Sequence, residues 1–208
     1  MRRRIGLALA VVVVAGAALV AGPWSRGYRL SDLLTGRTSM LPDGTRAAAG
    51  AATLSGNATL GTDQRAVTLR IACDPAGPGL SAALTVPRFA ELAPGFDFAG
   101  LEGSDKTAPL TGILVSNAGS VRSVRMPGHG TASTDPEASF VMTVSGARRG
   151  EDPLRGIALA MTQPGTKIIW TQASPRANDA PLTATFTVSE ADAAALRSAL
   201  NGCLAAPF

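Results

Sequence analysis

The chain has 208 residues, two cysteines, one histidine and a formal net charge of +4. Two cysteines and one histidine cannot furnish an ordinary four-ligand zinc site. The charge excludes more than it suggests, because residues 1–60 carry seven basic side chains against Asp32 and Asp43, a surplus of +5, whereas the other 148 residues hold twelve basic and thirteen acidic groups, or −1. The basicity therefore belongs to the N-terminal region, and no nucleic-acid surface is expected. Arginine outnumbers lysine 17 to 2 in an alanine- and glycine-rich chain. That usage is read as GC-rich bacterial coding.

At the start, Arg2, Arg3 and Arg4 precede seventeen uncharged residues from Ile5 to Ala21. A basic start followed by an apolar run is an export signal or a membrane anchor, and this run meets the lower limit for a spanning helix. Leu19 stands at the third position before a cut after Ala21, and Pro23 obstructs a cut after Gly22. Residues 1–23 are therefore read as a signal peptide or membrane anchor, the anchor being preferred. The three arginines place the N-terminus inside and the rest of the chain outside the cytoplasmic membrane, in the periplasm where the host has an outer membrane. The membrane, through this N-terminal helix, is the first expected partner.

Residues 24–60 show no sustained apolar period and are rich in Gly, Ala, Ser and Thr, as expected of a flexible tether. From residue 61 to 208 a single domain is expected. "RAVTLRIAC" and "LSAALTVPR" alternate apolar and polar residues with a period of two, as half-buried antiparallel strands do. "PLTGILV" and "SVRSVRM" flank the loop "SNAGS" as a hairpin. "ASFVMTVSG", "LRGIALAMT", "TKIIWTQA" and "PLTATFTV" are read as further strands, with Gln163-Pro164-Gly165-Thr166 as the turn between the middle pair. The last segment changes period: Ser189 and Asp192 resemble a capping box, Ala193, Leu196 and Leu200 follow at helical spacing, and Gly202 is a C-terminal stop. The expected fold is mainly β. It is an antiparallel β-sandwich or small barrel of about eight strands with one C-terminal α-helix packed on it, behind an N-terminal signal or transmembrane helix.

Cys73 continues the apolar series Val67, Leu69 and Ile71, and Cys203 falls near the apolar side of the final helix. Both thiols therefore point inward. In an exported chain they are expected to pair, joining the first predicted strand to the last element across 129 intervening residues. The alternative is two separate buried thiols.

Searches for chemistry return mostly absences. There is no G-x-S-x-G, no phosphate-binding G-x-x-x-x-G-K-[ST], no H-E-x-x-H and no C-x-x-C. Any Ser-His-Asp or Cys-His arrangement must use His129, which lies between two glycines in "MPGHGTAS" and is read as a solvated turn residue. Glu151 and Asp152, beside Arg148 and Arg149, read as an exposed charged loop. The stretch "RFAELAPGFDFAGLEGSDKTAP" is the exception. It holds Phe89, Phe96 and Phe98 together with Asp97, Glu102 and Asp105, and long loops in compact domains are uncommon. Its aromatics are expected to cover an open end of the fold as a satellite core; the alternative is a ligand or partner surface. The three carboxylates do not match a calcium-loop spacing, and neither a metal nor a cofactor is assigned. The closing order of hairpin, strand and helix resembles that of small exported β-sandwich proteins, the invasion-associated locus B family among them, without a motif that specifies membership. Function is accordingly expected to be non-enzymatic: binding or assembly in the bacterial cell envelope, with an envelope protein as partner. A periplasmic small-ligand or lipid-binding module is the alternative, followed by a hydrolase centred on His129.

Overall fold

The computed structural model describes residues 50–77, 79–103, 107–133, 139–146 and 152–205. The N-terminal segment 1–23, the tether as far as residue 49, Asp105, Arg148, Arg149 and Glu151 lie outside these. The described chain is mainly β, with nine antiparallel strands in one curled half-barrel sheet and a C-terminal helix. The strands are β1 (Gly50–Leu60), β2 (Asp63–Asp74), β3 (Gly79–Val86), β4 (Thr111–Asn117), β5 (Ser120–Met126), β6 (His129–Ala132), β7 (Phe140–Ser145), β8 (Lys167–Gln172) and β9 (Leu182–Thr187). Their order across the sheet is β5-β4-β8-β9-β1-β2-β3-β7-β6. Two helices accompany them, α1 (Pro153–Met161) and α2 (Glu190–Leu204).

Three expectations are corrected. Residues 50–60, the last part of the segment 24–60 assigned to a tether, are the strand β1, which runs from Gly50 to Leu60 between β2 and β9. β1 lacks the bulky apolar residues that announce a strand because its neighbours need the room. A Cβ at Gly50 would meet the backbone of Ala199 on α2, and one at Gly56 would meet the Phe186 ring and the Thr185 carbonyl. Secondly, "LRGIALAMT" is not a strand but the helix α1. Asp152 caps it by accepting from Leu154 N at 2.8 Å, Pro153 occupies its first turn, and Leu154, Ile157, Ala158 and Met161 are buried at helical spacing. The turn at Gln163–Thr166 therefore joins a helix to β8 rather than two strands, with Gly165 at the positive φ (76°) expected of it. Thirdly, between the sandwich and the small barrel, the described residues form neither two sheets nor a closed barrel but one sheet of nine strands curled as a half-barrel.

Connection lengths dictate the curl. β5 and β6 occupy opposite ends of the strand order, yet only Pro127 and Gly128 separate Met126 from His129. Three residue steps reach roughly 10 Å. The two edges must therefore converge at that end, and Gly128 marks the pinch, where a Cβ would come within 2.6 Å of Thr111 Oγ1 on β4 and 3.2 Å of the Thr143 carbonyl on β7. Elsewhere, α1 packs on β3, β4 and β5 and fills the seam between the two sheet margins, while α2 lies on β1, β2 and β3.

Period-two alternation gives the sheet one dry face. Leu54, Val67, Leu69, Ile71, Leu84, Ile113, Met142, Trp170 and Phe186 point into a core completed by Ala193, Leu196 and Leu200 of α2. The other face carries Thr68, Arg70, Thr85, Thr171, Thr183, Thr185 and Thr187. α2 begins with the expected capping box, Ser189 and Asp192 each bonding the other's backbone N–H at 3.1 and 3.0 Å. The helices are tied to each other as well, by Arg155 to the Leu204 carbonyl at 2.7 Å and Arg197 to the Thr162 carbonyl at 2.8 Å.

Candidate functional site

Cys73 and Cys203 form a disulfide with a Cα–Cα distance of 5.8 Å. Cys73 ends the buried row of β2 opposite Gly50, and Cys203 lies in the last turn of α2. The bridge fastens the C-terminal turn to the strand pair it crosses. Loss of Cβ at Gly50 is what lets the helix backbone come that close.

The aromatic stretch folds on itself. Between β3 and β4 it makes three short 3-10 turns, Phe89–Glu91, Ala93–Gly95 and Ala99–Leu101. β3 and β4 lie five strand spacings apart in the sheet order, so they cannot be joined as a hairpin and a longer connection crosses the end of the half-barrel. Phe96 and Phe98 are buried and Phe89 is half-buried. Phe98 stacks edge-on against Phe89 at 5.2 Å and Phe140 at 5.0 Å, and lies 4.7 Å from Phe96. These rings pack together as an end plug. Two of the three carboxylates of the stretch fall among the described residues, each with its own contacts. Asp97 accepts from Gly100 N at 3.0 Å within its own turn, Glu102 is exposed beside a single bridge to Gly130, and Asp105 lies outside the described residues.

Two clasps hold the plug. On one side Arg65 donates to the carbonyls of Arg88 (2.7 Å) and Pro87 (3.2 Å) and pairs with Glu91 at 2.9 Å. On the other, Asp97 N donates to Ser174 Oγ, Ser174 donates to Asp179 at 2.7 Å, and Arg176 joins Asp179 at 2.8 Å while reaching the Pro94 carbonyl. The Asp179 carboxyl is held below its ordinary range, first by the hydrogen bond from Arg176 and then by that from Ser174. Arg176 is raised by the same hydrogen bond and by the Asp179 charge.

His129 is not a solvated turn residue. It opens β6, half-buried and paired with Thr143. Among the described residues nothing arranges a nucleophile or a carboxylate on its imidazole, and no group of three or more His, Cys, Asp or Glu residues could hold a metal ion.

One arrangement able to hold a small molecule was not legible in the sequence. Where α1 meets the β4–β5 hairpin, the seam is incompletely filled and leaves a cleft of about 360 Å³. Val115, Asn117, Arg122, Gly156, Leu159 and Gln163 are among its lining residues. Val115 is a buried floor and Leu159 an apolar wall that stays 54% exposed. Arg122 lies across α1 at Gly156, where a Cβ would stand 3.3 Å from its Nη1. Asn117 uses both amide hydrogens on the Pro164 carbonyl and on Thr166 Oγ1, at 3.2 and 2.7 Å, which fixes its side chain. Reading residues 154–162 as a strand hid this site, because Gly156 and Leu159 acquire a common face with Arg122 only once that segment is helical. The Asp152-Pro153 start was the signal that could have found it.

By contrast, the space beneath α1, between Ile71, Leu80, Ile113 and Met161, amounts to about 10 Å³. Among the described residues no helix is long and apolar enough to cross a membrane. Compared with family models, curated proteins and solved structures, the chain matches none.

Proposed function

We propose that this is an exported bacterial cell-envelope protein, held at or released beyond the outer side of the cytoplasmic membrane by its N-terminal segment, and that it works by binding or assembly rather than catalysis. The Cys73–Cys203 bridge carries this reading, since such bonds form and persist in oxidising compartments. The basic-then-apolar segment 1–23 supports the same location. The test is the intact mass of the protein from its host's membrane fraction, alkylated with and without reduction. Two alkylated thiols only after reduction are expected, on a chain retaining its first residues if the segment is an anchor. Thiols that alkylate without reduction would remove the case for an oxidising compartment.

A second reading, a small-ligand binding module, is favoured by the rim cleft beside α1. Its interior counterpart, a lipid held inside the barrel, has little room, because α1, α2 and the phenylalanine plug occupy the concave side.

A further inference from the structure

We propose that the cleft between α1 and the β4–β5 hairpin binds a small monocarboxylate with an aliphatic body, the carboxylate on Arg122 and the chain against Val115, Leu159 and Ala160. The inference rests on the small-ligand reading and names the ligand class for that site.

Arg122 is the starting point. It sits on the side of β5 that faces α1, opposite Val115 in the β4–β5 register. Among the described residues the ion pairs join Arg65 and Arg88 to Glu91, and Arg176 to Asp179. None reaches Arg122, and among the described residues no hydrogen bond fixes its guanidinium. Five donors in a planar fork are thus left at the mouth of a cleft, matched in shape to a carboxylate, which they bind bidentately.

Helix α1 makes room for that guanidinium at a cost. Glycine inside a helix is destabilising relative to alanine, yet Gly156 stands in mid-helix where the Arg122 head crosses. An apolar residue is left open in the same place: among the described residues Leu159 is one of two large hydrophobic side chains that are prominently exposed, the other being Val121 on the β4–β5 hairpin. A lone positive charge beside an apolar wall, in a volume of about 360 Å³, suits a monoanion with a short hydrocarbon body. A dianion would leave half its charge uncompensated. A neutral alkyl compound would leave the guanidinium without its partner.

The test is a titration of the full-length, isotope-labelled chain with hexanoate and, separately, with its neutral isostere hexanamide, followed by amide and arginine side-chain NMR. Saturable shifts confined to Asn117, Arg122, Gly156, Leu159 and Ala160 are expected with hexanoate. Arg122→Gln should weaken hexanoate binding about 10- to 100-fold, the range that follows from losing a charge-assisted hydrogen-bonded contact, with the remaining spectrum unchanged because the side chain is exposed. Gly156→Leu, which fills the trough from a helical position, should abolish the shifts. If hexanamide moves the same residues with equal affinity, the carboxylate assignment is overturned while the small-ligand reading stands. If Arg122→Gln leaves hexanoate binding unaltered, the assignment is again overturned. If neither probe shifts the cleft residues, both the assignment and the small-ligand reading fall.

Discussion

Cys73 and Cys203 lie in elements that are built at the two ends of the described chain, and the link between them acts as a single unit. Replacing either with serine should lower stability by a similar amount, about 4 kcal/mol on the chain-entropy account of so long a loop, measured as the shift in urea midpoint with each variant kept oxidised. Clearly unequal losses would mean that one cysteine acts through packing rather than through the bond. Asp179 makes a second residue-scale prediction. Its folded carboxyl titrates below its unfolded value of about 3.9, because Arg176 and Ser174 bond the charged form. The contribution is therefore complete above the unfolded value and is lost as pH falls through the folded one. Wild-type stability should drop along that acid limb, and Asp179→Asn should be less stable than wild type near neutrality and approach it at the acid end. A constant difference between the two across the whole range would assign the effect to shape rather than charge. At the phenylalanine plug, Phe96→Ala should cost roughly 3–5 kcal/mol, as for buried aromatics generally, in a thermal melt. An unchanged melting temperature would return the ring to the role of a surface contact.

Elements differed in how plainly their residues announced them, and the reason is local. Strands β2, β3 and β9 were legible because each alternates apolar residues with threonine, serine, alanine or arginine, a pattern that only one sheet face can use. α2 was legible from Ser189, Asp192 and the spacing of Ala193, Leu196 and Leu200. Its cap is also testable: Ser189→Ala should cost about 1 kcal/mol and leave the disulfide intact, seen as a small loss of midpoint under oxidising conditions. β1 was not legible, because the close approach of α2 and Phe186 demands glycine at 50 and 56, and small residues weaken the alternation. α1 failed for another reason. Ile157, Leu159 and Met161 fit a period of two, while Leu154, Ile157, Ala158 and Met161 fit a helix, and Gly156 weakens the helical case. The candidate cleft was lost with it, since its residues come from two elements, one of them misread.

At the scale of the whole molecule, the chain is arranged so that its centre and its seam have different security. β9, β1 and β2 are paired on both sides through Gly56–Thr59, and α2 is fastened over β1 and β2 by the disulfide. β5 is paired on one side only, and α1 rests on it with an incompletely filled cleft between them. Regions with fewer buried contacts and singly paired strands open at lower free energy than the global transition. Hydrogen exchange with increasing denaturant should then separate two groups. Amides at the centre, such as Leu69 and Phe186, should exchange only through global unfolding, with the full denaturant dependence, whereas Ile157 to Met161 of α1 should exchange through a smaller opening with a shallower dependence. Met126 and His129 are joined through only two residues at the pinch, so the strand ends there should be protected more than the hairpin end of β5. If α1 exchanges with the same free energy and slope as Leu69, α1 and the sheet form one cooperative unit. Under that outcome a ligand in the cleft would have to enter without displacing α1, and saturating hexanoate would stabilise the whole domain instead of the seam alone.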